Sequence, residues 1–265
     1  MKLMFLSGKP LAALVIGLSL LTVVSCNSNG ANTNPDAAAA GNSLKKESVP
    51  DIKLDGNTLT YGDHVYTVNG KINFESKEHK KATSSVTFTN VPSNYNEFEA
   101  VYNTLLGKSP QGAAAMVPMA IELYARDAAV GKQCLELLCN GSATSDGIIR
   151  ILKTKLVPSQ YSSSNDPYIQ RYMAAALLKG ANNKNAYTAD EPYTVEMCSS
   201  PNGVKDAPLT GGTVYYLYIL AHGWDSFQRA VEVIQPYNSE YYKVFNCSST
   251  YTQCKNIVGT WPGLK

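Results

Sequence analysis

The spacing of apolar residues changes twice along the chain, and this limits the fold more than any other feature. From Asn94 to Gly180 apolar positions recur at helical spacing, whereas before and after that stretch they recur at strand spacing. Helices and strands segregated in this way make an α+β protein. The expected architecture is a helical layer of about five helices, packed with an antiparallel C-terminal β-meander and N-terminal β-hairpins.

Residues 52–90 read as short strands, with turns at Asp55-Gly56, Gly62-Asp63 and Asn69-Gly70. Asn69-Gly70 is the strongest hairpin signal, because a type I′ turn needs positive φ at both central positions. The polar segment from Glu75 to Lys81 reads as a loop. In 94–180, Asn94 with Glu97 has capping-box spacing, and Ser109-Pro110 supplies a cap and a first-turn proline. The pattern predicts helices ending near Gly107, Ala125, Cys139 and Leu156. A fifth is expected from Asp166-Pro167 to Gly180, with Tyr168, Ile169, Tyr172, Met173 and Ala176 on one face. Met116, Met119 and Met173 are expected in the core. Residues 190–258 return to strands, and Thr213–Ala221, apolar on both faces, is placed centrally in the sheet.

The N-terminus speaks to location. Lys2 and Lys9 precede an apolar run from Leu11 to Val24, shorter than the ~20 residues of a spanning helix, so residues 1–25 read as a signal peptide. The run closes on Val23-Val24-Ser25-Cys26, which resembles a bacterial lipobox with Val23 in place of the usual leucine. That resemblance implies lipidation of Cys26, cleavage before it and attachment to the membrane by acyl (palmitate-type) chains alone. Residues 26–50 hold almost nothing apolar and read as a disordered tether, leaving 51–265 as a single α+β domain. No acidic run follows Cys26, which favours the periplasmic face of the outer membrane over the cell surface.

Charge narrows the partners. The formal net charge is +2, and without Lys2 and Lys9 the counts are 21 basic and 21 acidic residues. A near-neutral chain lacks the basic footprint of a nucleic-acid binder. The lipobox, together with Phe98, Tyr102, Leu106-Gly107, Gly112, Leu123-Tyr124-Ala125, Gly131 and Cys134-Leu135, is similar to uncharacterised lipoproteins of Bacteroidetes-type gut bacteria. These belong to a domain family without assigned function, and the resemblance spans roughly residues 94–260. It implies no catalytic residues and no cofactor.

Beyond Cys26 the cysteines are Cys134, Cys139, Cys198, Cys247 and Cys254, an odd number. Cys247 and Cys254 are spaced to close a small disulfide loop, and the others read either as buried small side chains or as chemistry. No Cys-x-x-Cys or other metal-ligand spacing occurs. The one notable His–Asp grouping is His222 with Asp225, which Cys198 would have to meet in space to form a hydrolase relay. Tyrosine is the outlier at 17 residues against 6 Phe and 2 Trp. Tyr216 and Tyr218 share one face of a strand; with Tyr242 across the sheet and Trp224 in the adjoining turn, they form a candidate platform for a glycan, a peptide or an envelope protein. Ordinary sheet packing of tyrosine is the competing reading. A non-enzymatic binding module needs fewer coincidences than the hydrolase.

Overall fold

A computed structural model describes residues 50–265. The expected lipid acceptor Cys26 and nearly all of the tether lie outside the described residues. The strands are β1 (Ile52–Asp55), β2 (Thr58–Tyr61), β3 (His64–Gly70), β4 (Ser84–Phe88), β5 (Tyr193–Ala207), β6 (Gly212–Leu220), β7 (Gln228–Pro236) and β8 (Lys243–Asn246). All eight form one sheet in chain order, and every neighbouring pair is antiparallel. The helices α1 (Tyr95–Thr104), α2 (Pro110–Arg126), α3 (Ala128–Leu138) and α4 (Ser142–Leu156) are inserted between β4 and β5. The N-terminal hairpins and the C-terminal meander are therefore a single sheet, closed where Phe88 pairs with Tyr193.

Strand alternation divides this sheet into two unlike faces. Leu59, Tyr66, Val86, Phe88, Val195, Met197, Leu217, Ile219, Val231 and Val244 point to one side and join the helices in the main core. α2 lies against that side, touching β4, β6, β7 and β8, and every residue from Gln111 to Tyr124 is buried. α2 continues through Pro118. Among the described residues no α-helix packs on the opposite face. Thr58, Thr67, Thr87 and Thr194 stand side by side on it across four strands, all partly exposed.

The two expected caps, Asn94 and Ser109, are used, and Asp127 supplies a third at the start of α3. Asn94 accepts from the Glu97 N–H, Ser109 from Gly112, and Asp127 from Ala129 and Val130. Past α3, Cys139 bridges to Val244 and the Asn140 N–H donates to the Val244 carbonyl, which covers the β8 edge.

Two expectations are corrected. Among the described residues there are four α-helices, because residues 166–180 form turns and a short 3-10 helix at Ala175–Leu177. Ile169, Met173, Leu177 and Leu178 each donate three residues back, and Gln170 donates out of the segment to Lys155. Residues 172–178 are buried on every side, so the stripe of solvent-facing positions that makes a surface helix is missing. Nor is Asn69-Gly70 a two-residue hairpin. β3 runs straight through it, pairing Asn69 with Ser85 and Gly70 with Ser84, and the return to β4 uses the loop 71–83. Ile72 enters the core and Phe74 packs on Tyr215, which draws the chain away from an immediate reversal. Gly70 has φ +69°, and a Cβ there would lie 2.9 Å from the Thr83 carbonyl oxygen. The tight turns are instead Gly56-Asn57 and Gly62-Asp63.

Candidate functional site

The helix-free face of β5–β7 carries the site. Along β6, Leu217 and Ile219 point into the core, so Tyr216 and Tyr218 point out. Tyr216 stands opposite Glu232, and the Lys205 ammonium lies 5.2 Å from its ring centre. Tyr218 stands between Cys198 on β5 and Ala230 on β7. Both rings are half-buried.

The loop 71–83 turns this face into a hollow. It starts on the helix side, where Phe74 meets Tyr215 edge-on at 5.4 Å. It then passes to the open side, where the His79 carbonyl oxygen accepts from the Cys198 thiol at 3.1 Å and from the Gln228 amide. His79 Nδ1 lies 2.9 Å from the Ser199 carbonyl oxygen. A carbonyl only accepts, so Nδ1 carries the hydrogen in this contact. Between loop and sheet is an open cavity of about 580 Å³ lined by Lys77, Glu78, His79, Lys80, Pro201, Tyr218 and Gln228. Its rim carries the Lys77 and Lys80 ammonium groups with the Glu78 carboxylate between them, and its floor is aromatic. In the sequence His79 falls within the polar Glu75–Lys81 loop; only the fold brings it to Tyr218.

The other expected site residues lie elsewhere. Tyr242 does not extend the row of Tyr216 and Tyr218. It sits beside Tyr215 with ring centres 5.3 Å apart, and its N–H bonds the Gly107 carbonyl. Burial and the Tyr215 hydroxyl push its own hydroxyl up to about 12. β8 begins only at Lys243 and pairs with β7 across a register shift, so Tyr242 turns toward the helices. Trp224 is buried in the core beneath the Arg229 guanidinium, 4.6 Å from its ring centre.

The proposed relay is not brought together: among the described residues no hydrogen bond joins Cys198, His222 and Asp225. His222 is exposed and stacks on Phe227, and exposed Asp225 pairs with Lys255 at 3.0 Å. Cys198 is fully buried, and burial pushes its thiol up to about 11, which leaves little thiolate at neutral pH. Cys247 and Cys254 are both buried free thiols. The Gln170 side chain fixes Cys254, accepting from its N–H at 2.9 Å and donating to its carbonyl at 2.8 Å. Among the described residues no group of three or more His, Cys, Asp or Glu side chains is placed to hold a metal ion, and no helix is long and apolar enough to cross a membrane.

One polar cluster escaped the sequence. Glu97, expected to cap α1, is 2% exposed and accepts from His64 Nδ1 at 2.5 Å, the Tyr66 hydroxyl at 2.7 Å and the Ser93 N–H at 2.7 Å. Burial and the Glu97 charge hold the Tyr66 hydroxyl well above its usual pKa, so it stays a donor. No cavity opens at this cluster among those the structure shows, and its role is to bind β3 to the start of α1.

A family model described as Domain of unknown function (DUF6935) matches residues 90–258. No curated protein and no solved structure matches the chain.

Proposed function

The chain belongs to the DUF6935 family, whose domain carries no assigned activity, and from that premise we propose a non-enzymatic binding module of the bacterial cell envelope. Its ligand is an acidic, extended segment of a partner protein, received on the open face of β5–β7. The observation that supports this reading is the Tyr218 ring at the floor of an open hollow whose rim sets two lysines, Lys77 and Lys80, and His79 against one carboxylate, Glu78. Tyrosine rings give large contact area at low entropic cost, and flanking ammonium groups favour carboxylates and speed encounter. The surface continues past Tyr216 and Lys205 to the hairpin tip, where Leu209 is fully exposed.

The test is a fluorescence-polarisation titration with labelled twelve-residue peptides, half of them acidic and half neutral. Acidic peptides containing an aromatic residue are expected to bind best. The double variant Tyr216→Ala/Tyr218→Ala should weaken them by about tenfold or more. Raising salt should weaken binding as well, since the rim is exposed. Equal binding by the double variant would refute the site.

The same proposal places the domain on the membrane through lipid at Cys26. Support comes from the sequence: an apolar run too short to span and a small residue directly before the cysteine. Cys26→Ala is expected to move the protein from the membrane to the soluble fraction and to abolish palmitate incorporation. Unchanged fractionation would reject lipid anchoring.

A further inference from the structure

A second hollow, of about 470 Å³, shares no lining residue with the sheet cavity. One wall is the turn segment that replaces the expected fifth helix and carries Asn165, Asp166, Arg171 and Tyr172; the other is the C-terminal segment with Asn256 and Trp261. Its volume falls within the ~300–1,000 Å³ of small-molecule sites. From these walls we infer a binding site for a neutral saccharide.

Both walls are held in place before any ligand arrives. Gln170, fully buried, ties the first wall to the main chain of Cys254 through two hydrogen bonds. Tyr172 is stacked on Tyr187 with ring centres 4.7 Å apart and planes 9° from parallel. The second wall is pinned by Lys255 N–H to the Gly223 carbonyl and Val258 N–H to the Asn183 carbonyl, at 2.7 and 2.9 Å. A site organised in this way avoids the entropic cost of ordering its walls on binding.

The lining chemistry selects the ligand class. A sugar presents an apolar C–H face and a rim of hydroxyls that both donate and accept. Tyr172 and Trp261 offer ring surface for the face. Asn165, Asn256, Asp166 and Arg171 offer planar amide, carboxylate and guanidinium groups for the hydroxyls. Asp166 spends Oδ1 on the Tyr168 N–H, and Arg171 spends Nη1 on the Ala125 carbonyl, leaving Asp166 Oδ2 and the other arginine nitrogens for a ligand. The indole N–H of Trp261 is buried and has no acceptor among the described residues. One carboxylate and one guanidinium cancel, which disfavours a phosphate or a polyacid.

The test is saturation-transfer NMR and tryptophan fluorescence on the full chain, in buffer free of sugar-headed detergent. The probes are cellotriose, maltotriose, chitotriose and mannotriose, each to about 20 mM. At least one is expected to saturate with Kd of about 0.1–5 mM. Trp261→Ala and Asp166→Ala should each weaken it about tenfold, and Tyr218→Ala should leave it unchanged. Because Trp261 packs against the core, Asp166→Ala and Asn256→Ala carry the test if Trp261→Ala does not fold. Absence of binding by all four probes overturns the site; so does binding insensitive to Asp166→Ala and Asn256→Ala, or tighter binding of trigalacturonate than of every neutral probe. The sheet reading stands or falls separately, through the peptide titration.

Discussion

Gly131→Ala is expected to destabilise the domain by about 3 kcal/mol or more, a fall in Tm of roughly 6–12 °C for a domain of this size. Gly131 sits in the second turn of α3, where the chain has just turned back from α2. A Cβ there would lie 2.2 Å from Tyr124 Cα and 2.3 Å from its nitrogen, both backbone atoms. Backbone cannot rotate aside as a side chain does, so the two helices would have to part. Both pack into the same core, and α2 is enclosed along almost its whole length. Gly147, in α4, supplies the control. Nothing lies within 4 Å of a Cβ built there, so Gly147→Ala should stabilise by about 0.5–1 kcal/mol through helix propensity alone. Thermal unfolding of the two variants checks the contrast; a Gly131→Ala protein as stable as the parent would refute the close approach.

Glu97→Ala is expected to cost about 3–5 kcal/mol, because it strands three donors that converge on one buried carboxylate. Glu97→Gln keeps an acceptor for His64 and Tyr66 but turns an amide toward the Ser93 N–H, and should cost about 1–2 kcal/mol. Urea unfolding measures both. A double-mutant cycle with Tyr66→Phe isolates the pair: Tyr66→Phe should cost less in the Glu97→Ala background than in the parent. Strict additivity would show that Tyr66 and Glu97 act independently.

These two residues show where reading the sequence stops. Glu97 three residues after Asn94 is a local signal, and the local half is realised, since Asn94 caps α1. The return half is not, because His64 and Tyr66 arrive from a strand some thirty residues earlier and take the carboxylate. Gly131 reads as a flaw in a helix, and only the nearby Tyr124 backbone makes it a requirement. The candidate platform divides in the same way. Alternation along β6 puts Tyr216 and Tyr218 on one face; their openness, and the loss of Tyr242 from the row, depend on where the helices pack.

What the sequence determined by itself is the content that depends on neighbours in the chain. The segregation of helices and strands, the caps at Asn94 and Ser109 and the face assignments of β6 all follow from spacings of two to four residues. The tertiary structure decided the rest. It joined two groups of strands into one sheet at β4 and β5, turned an apolar stretch with helical spacing into tight turns, and carried Asn69-Gly70 through a strand. It also brought the 71–83 loop over Tyr218 and set the Asp166–Tyr172 segment against Trp261. Each is a choice between local conformations of similar energy, settled by apolar burial and by hydrogen bonds between residues far apart in the chain.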